Sequence, residues 1–449
     1  MAGVAQRGGW LGQAAWVVYD GSKAPYSALV VLFVFSAYFT TVVIPDPVRG
    51  QAIWSYASSV AALLLAIGAP ILGAIADAGG RRKPWIAACT ILAVPCMAAL
   101  WFATPTMGGG LNWIVIALIA AAVCFEYSAI FANALLPVVA PQSRIGLLSG
   151  LGLAVGNVSN FAVLLFFLLA WSWNSHPLFG LQLPRHEPER AVGPMAAAWL
   201  AVFALPLFLF SPDSPGAKQS AAQSVRQALR SLLGTLAKLR EHGNVTRFLI
   251  ARMVFGEGFI VMMMFTGVFA AGVLHWTPTM LIVQGLINSV FAALAGVIAG
   301  WLDLRIGSKV STMIFVGGCL LANIVVCSVT PDMVFFVHLA NVGHDGSLFP
   351  TMPDKLFMVT QASLALFITA GLASSRTLMA RLSPPHMLNE FFGLFALSGT
   401  ATSFIGPLAI GILTSAFRNQ RAGVSVGVVF LAAGLVLLFP VRESRPSSG

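Results

Sequence analysis

The 449-residue sequence predicts an all-α integral membrane protein, with twelve transmembrane helices arranged as two six-helix bundles. Three observations lead there: composition, the number of long apolar runs, and a loop that occurs twice. Hydrophobic residues make up 58% of the chain and charged residues 9%, with a mean hydropathy of +0.87, whereas a water-soluble domain carries roughly 25% charge. So few charges cannot clothe the several large cores that a soluble chain of this length would need.

A helix needs about 20 mostly apolar residues to cross the hydrocarbon of a bilayer. Such runs lie near residues 17–44, 52–76, 84–103, 112–137, 146–171 and 194–211, then near 248–274, 278–301, 310–330, 356–381, 391–416 and 422–441. The polar stretch between the two sets divides the chain into an N-terminal bundle (1–211), a linker (212–247) and a C-terminal bundle (248–449). In the linker, Val225, Leu229, Leu232, Leu233, Leu236 and Leu239 recur at helical spacing beside Arg226, Arg230, Lys238 and Arg240. That pattern predicts an amphipathic helix on the inner leaflet or against a partner. No basic segment followed by a short apolar core and a small-residue cleavage site opens the chain, so the first run is read as a retained helix.

The net charge of +10 is scattered over short loops, without the Lys/Arg-dense helix or aromatic-interleaved stripe of a nucleic-acid binder, so nucleic acid is not expected as a partner. Topology accounts for the charge. With both termini in the cytoplasm, sixteen of the 25 Lys and Arg residues lie inside, six outside and three within spans, as the positive-inside rule requires. The expected setting is a bacterial inner membrane. Cys89, Cys96, Cys124, Cys319 and Cys327 all fall in apolar runs with no CxxC, which reads as packing rather than a disulfide framework.

The repeated loop is Gly73-Ala-Ile-Ala-Asp77-Ala-Gly-Gly80-Arg81-Arg82 between the second and third runs, and Gly300-Trp-Leu-Asp303-Leu-Arg305-Ile-Gly307-Ser-Lys309 between the eighth and ninth. The two aspartates are 226 residues apart, and the second copy has one more residue before its glycine. A carboxylate at a helix end can bond neighbouring helix N-termini and loop arginines, while glycine permits the tight turn. Asp77, Gly80, Arg81, Arg82 and Asp303 are therefore candidates for a conformational latch.

The first copy resembles the GxxxDxxGRR signature of the major facilitator superfamily. More narrowly, Trp16-Val-Val-Tyr19-Asp20, Asn133-Ala-Leu-Leu-Pro137, Ser149-Gly150, Arg376-Thr-Leu-Met-Ala-Arg381-Leu and Glu390-Phe-Phe-Gly393 with Gly406-Pro407 are similar to the vacuole effluxer-like family, over nearly the whole chain. The resemblance implies the major facilitator fold and secondary transport of a small-molecule substrate by alternating access between two rocking bundles. The family's best understood members, fungal vacuolar proteins, export amino acids such as leucine, isoleucine and tyrosine to the cytosol; the substrate of this chain is left open.

Asp20, Lys23, Glu126, Arg252, Glu257 and Arg376 fall in or at the edge of spans, where an isolated charge costs at least about 2.5 kcal/mol. They should face one another or a hydrated cavity. Three are acidic and three basic, which suits internal pairing or a zwitterionic ligand such as an amino acid. Glu126 and Asn133, seven apart, form a polar stripe on one helix face; the glutamate is a candidate substrate or proton site, or half of a structural pair. Asp20 and Lys23 can pair three residues apart as a gate or interfacial anchor. Glu257, flanked by Gly256 and Gly258, is a candidate substrate or ion ligand, and Arg376 either holds an anionic substrate group or pairs with a carboxylate.

The run Met262-Met263-Met264-Phe265 reads as an apolar substrate wall or as packing, and Gly152 and Gly156 as close helix contact. His176, His186, His338 and His344 lie in two outer loops, too scattered for a metal site. No P-loop, HExxH or spaced Ser/His/Asp set is present, so no enzyme and no cofactor are expected. Two other functions fit the same fold: a proton-coupled exporter of hydrophobic drugs or lipids, and a non-transporting scaffold or receptor.

Overall fold

The computed structural model describes residues 9–105, 107–141, 144–173, 177–213, 223, 226, 239, 241–339, 342–343, 345–384 and 387–443. The amphipathic linker helix expected from the sequence lies almost wholly outside these residues. Among the described residues, twelve helices are long and apolar enough to cross a membrane: α1 Trp10–Val43, α2 Pro47–Gly73, α3 Lys83–Phe102, α4 Leu111–Val139, α5 Ile145–Ser172, α6 Glu187–Phe210, α7 Gly243–Val273, α8 Pro278–Ile306, α9 Ser308–Ser328, α10 Met352–Leu382, α11 Glu390–Phe417 and α12 Gln420–Leu438. Their outward faces carry bare apolar side chains, such as Leu304 at 84% and Val297 at 74% exposure. Surface of that kind suits lipid rather than water.

Most spans match the apolar runs to within a few residues, with three differences. Helix α1 begins at Trp10, seven residues ahead of the expected run. Helix α6 begins at Glu187 rather than near 194, because Pro188 at its second position and two glutamates in its first turn start a helix ahead of the apolar stretch. Helix α11 is two pieces, Leu388–Thr400 and Ile405–Phe417, separated by a short unwound segment.

The chain forms two compact units, residues 1–45 with 60–231 and residues 46–59 with 232–449. In unit 1, α1 is interrupted near its middle. Pro25 has no N–H to give to the carbonyl of Gly21, four residues earlier, and the indole Nε1 of Trp199 on α6 donates to that carbonyl instead, at 3.2 Å. Beyond the break the helix is π-helical over Tyr26–Phe33 and again over Phe39–Val43. Small residues seat α1 on α5: a Cβ at Gly152 would sit 3.1 Å from both the Asp20 carboxylate and Trp16. The indole of Trp16 donates to the Ala132 carbonyl on α4 at 2.7 Å, which fixes the third side of this packing.

Unit 2 is built around α7 and α12 packed face to face. A Cβ at Gly434 would meet Phe255 at 2.5 Å, and one at Gly258 would meet Leu431 at 2.6 Å, so bare backbone receives a large side chain in each direction. Phe248, Phe255, Phe265 and Phe269 are all buried along α7. Met262 is buried and Met263 exposed, so the methionine run divides between interior and surface rather than forming one wall. Residues 46–59 belong to this unit through a polar knot: the Gln51 amide donates to Thr414 Oγ1 at 2.8 Å and to the Gln420 carbonyl at 3.1 Å.

Matching clasps close one end of each unit. In unit 1, Asp213, just past α6, accepts from the backbone N–H groups of Arg82 and Lys83 at 2.9 and 3.2 Å, while Lys83 Nζ donates to the Phe208 carbonyl at 3.0 Å. In unit 2, Glu443, just past α12, accepts from the backbone N–H groups of Ser308 and Lys309 at 3.0 and 2.8 Å, while Lys309 Nζ donates to the Phe439 carbonyl at 2.8 Å. Each carboxylate thus satisfies orphan donors at the start of its bundle's third helix and meets the positive end of the helix dipole. Arg381 adds an ion pair to Glu443 at 2.7 Å.

Burial pushes the Glu443 carboxyl up, but the Lys309 N–H, Arg381 and the Ser308 N–H outweigh it and hold the group below the ordinary carboxylate value. A depressed value means that the contact stabilises the fold at neutral pH and loses that contribution as pH falls through the carboxylate range. Glu443→Gln should therefore lower stability at neutral pH by about 1 kcal/mol, the usual size of a lost cap, and flatten the acid side of the stability profile. Thermal unfolding of detergent-solubilised protein from pH 7 downward measures both effects.

Candidate functional site

The break in α1 places charge inside unit 1. Asp20 ends the last intact turn before Pro25, and its carboxylate pairs with Lys23 across that turn. The sequence put this pair at the end of the first span; since α1 starts at Trp10, the pair stands about a third of the way along it. Lys23 lies 5.8 Å from the Tyr19 ring centroid, and Tyr19 OH shares a hydrogen bond with Ser128 on α4. The Lys23 ammonium acts electrostatically on Glu126, also on α4, and Glu126 acts in turn on the Tyr26 hydroxyl. Glu126 itself is exposed, and among the described residues it has neither a hydrogen bond nor an ion pair. Asn133 is exposed on the same face, two turns along. The structure thus brings Asp20, Lys23 and Glu126 into one electrostatic neighbourhood.

In unit 2 the charges divide differently. Glu257 is 97% buried, and its Oε2 accepts the backbone N–H of Gly406 at 2.8 Å. Gly406 opens the second piece of α11, so the carboxylate of α7 caps a helix that restarts within the span. A Cβ at Gly406 would come within 2.9 Å of that oxygen, which is why glycine stands there. Gly258 receives Leu431 and serves packing, whereas Gly256 meets open space; α7 runs unbroken past both, so neither marks a bend.

Arg252, five residues before Glu257, stacks over Phe395 with its guanidinium carbon 3.9 Å from the ring centroid and donates to Ser398 Oγ at 3.3 Å. It approaches through the gap left by Gly399, where a Cβ would be 3.0 Å from Nη1. Its Nε is buried without a partner. Arg376 on α10 is exposed, has no hydrogen bond or ion pair among the described residues, and acts electrostatically on Arg252. Two guanidinium groups therefore share a neighbourhood in unit 2 with no carboxylate paired to either.

Of the proposed latch residues, Gly80 and Gly307 both have left-handed φ, 70° and 91°, so each copy of the loop turns on a glycine although the second has an extra residue. Arg82 donates to the Ala134 carbonyl on α4, Arg81 is exposed, and the side chain of Asp77 lies outside the described atoms. Asp303 is buried and accepts from Ser374 Oγ on α10 at 2.7 Å. Sequence reasoning missed Asp213 and Glu443, which hold these loops to the helix that follows. The signal was present as a lone acidic residue a few positions past the sixth span of each half. Of the loop histidines, His338 lies 3.2 Å from Asp332 and His186 3.9 Å from Glu189; His176 and His344 lie outside the described residues.

Comparison with known proteins agrees with this architecture. The family described as vacuole effluxer Atg22-like matches residues 40–448. An uncharacterized MFS-type transporter, YxiO of Bacillus subtilis (strain 168), is 24% identical over 438 residues, covering 96% of this chain and 94% of its own. Autophagy-related protein 22 of Cryptococcus neoformans var. neoformans serotype D (strain B-3501A) is 25% identical over 311 residues, 67% of this chain, which spans only about half of the fungal protein's length (53%). Among solved structures, a mutant of the nucleoside transporter NupG superposes with a TM-score of 0.67 at 14% identity, covering 96% of this chain and 98% of its own. A D-xylose–proton symporter gives 0.64 at 13%, covering 96% and 97%. At such identities the structural likeness shows the fold. The family match goes further: the chain belongs to the vacuole effluxer Atg22-like family and is a multi-pass membrane transporter of the major facilitator type, not an enzyme.

Proposed function

We propose that the protein carries a small zwitterion of the amino-acid class, with proton movement through Glu126. The observation that carries this reading is how the six intramembrane charges are disposed. Asp20 and Lys23 neutralise each other, and Glu257 is engaged by the helix it caps. Glu126 in unit 1 feels the Lys23 ammonium but forms no ion pair with it, and Arg252 and Arg376 in unit 2 have no carboxylate partner among the described residues. Within unit 1 an ammonium group complements Glu126, and within unit 2 a carboxylate complements Arg252 and Arg376, in the fork geometry that guanidinium groups favour. The exposed Asn133 supplies neutral hydrogen-bonding capacity on the same face as Glu126.

The relatives support transport of this general kind: the matched family is described as a vacuole effluxer, and one superposed structure is a proton symporter. Asp303 and the Gly80 and Gly307 turns serve as parts of the latch that alternating access requires; the distribution of Lys and Arg supports cytoplasmic termini, in a bacterial inner membrane on this reading. We take the bundles to run over 1–211 and 248–449 with the linker over 212–247, apart from residues 46–59, which pack with the second unit.

Reconstitution in liposomes with radiolabelled amino acids, with and without an imposed pH gradient, tests the reading. Saturable, gradient-dependent uptake is expected, and Glu126→Gln should abolish the gradient dependence. Arg376→Ala should weaken uptake by about ten- to a hundredfold, the value of one charge-assisted hydrogen-bonded contact. Uptake of apolar dyes that tolerates Arg376→Ala would instead identify a drug or lipid exporter. Folded, inserted protein that moves no solute at all would identify a scaffold.

Glu257 separates a structural from a ligand role. Glu257→Gln keeps an amide oxygen for the Gly406 N–H and should preserve the fold, whereas Glu257→Ala orphans a buried donor at a cost of about 1–3 kcal/mol. Thermal unfolding of the two variants, beside their uptake, checks this.

A further inference from the structure

A cavity of about 680 Å³ opens at the clasp end of unit 2, lined by Arg247, Lys309 and Arg442 on its polar side and by Ile306, Val310 and Phe439 on its apolar side. We propose that it is a binding site for the phosphate-bearing headgroup of an anionic phospholipid, distinct from the intramembrane charges assigned to transport.

The charge balance comes first. Glu443 also lines the cavity, but its oxygens are occupied by the Ser308 and Lys309 N–H groups and by Arg381. That carboxylate is therefore answered from behind, and the three cations at the opening remain. Arg247 and Arg442 form no ion pair among the described residues, and Lys309 gives its ammonium only to the Phe439 carbonyl. The backbone that carries Arg442 is also tied down. The side-chain amide of Asn244 donates to the Arg442 carbonyl at 2.6 Å and accepts from its N–H at 2.8 Å, which ties the segment after α12 to the first turn of α7.

Position and apolar content then choose the source of the phosphate. Arg247 lies in the first turn of α7, Ile306 ends α8, Lys309 opens α9, and Phe439 follows α12. All four stand at helix ends, the level of a bilayer's headgroups. Phe439 is 61% exposed and Val310 43%, so the side of the cavity toward the spans is open, apolar surface. A soluble anion would leave that surface wet, whereas a phospholipid covers it with acyl chain while its phosphate meets the guanidinium groups. Basic pockets among transmembrane helices at the cytoplasmic leaflet suit such headgroups.

Native mass spectrometry and thermal unfolding of the detergent-purified full-length protein test the site, with phosphatidylglycerol, phosphatidylcholine of the same acyl chains, and inorganic phosphate as separate additions. Phosphatidylglycerol should be retained and should raise Tm more than phosphatidylcholine, and this preference should shrink as salt is added. Arg247→Gln with Arg442→Gln should weaken phosphatidylglycerol binding at least about tenfold, while Arg418→Gln, far from the cavity in sequence and at the opposite end of the spans, should not. Equal retention of the two lipids by the wild type, which needs no variant to fold, overturns the proposal. So does a double variant that binds phosphatidylglycerol unchanged. Stabilisation by inorganic phosphate equal to that by phosphatidylglycerol, lost in the double variant, would reassign the cavity to a soluble anion.

Discussion

Hydrocarbon offers no hydrogen bonds, so a helix can break within a membrane only where another group takes over the backbone atoms that the break releases. Much of this molecule follows from that constraint. Where Pro25 strands the Gly21 carbonyl, a tryptophan from α6 reaches it; where α11 restarts at Ile405, a glutamate from α7 receives the new N-terminus at Gly406. Each interruption is thereby tied to a helix distant in sequence. The tryptophan and the glutamate act as struts whose removal would leave polar backbone buried without a partner.

The acidic residues accordingly fall into two kinds. Glu257, Asp213, Glu443 and Asp303 are committed to N–H groups or hydroxyls and define the shape of their bundle. Asp20 is committed to Lys23. Glu126 stands apart with no such bond, and so do the guanidinium groups of Arg252 and Arg376 from any carboxylate. A transporter needs both kinds: fixed charges that hold two bundles stiff, and uncommitted ones that a solute or proton can engage.

Composition and the length of the apolar runs made the fold legible, because the bilayer imposes a minimum span that few other constraints mimic. The duplicated loop was legible too, in the glycine on which each copy turns. Three features escaped. The start of α6 was hidden because a helix can begin outside the apolar stretch when proline and acidic residues favour it. The break in α11 was hidden because Gly406-Pro407 suits a first helical turn and a kink alike. Which charges would be spent internally was hidden because pairing depends on partners such as the Gly406 N–H that carry no side chain to read. Gly258 shows the converse: beside a buried glutamate it serves packing, while Gly406, 149 residues from that glutamate, receives its carboxylate.

The π-helical stretches of α1 bear on how that span is to be read. A π turn closes its hydrogen bonds one residue further along than an α turn, as when Val34 N–H reaches back to Leu29. Each such turn therefore advances the chain around the axis by less per residue. A helical wheel drawn at constant pitch from Trp10 agrees with the molecule as far as Asp20 and then slips progressively out of phase. By Phe35 and Phe39, both fully buried, the wheel no longer says which side of α1 looks inward, so the polarity of its second half has to be judged from contacts and not from spacing.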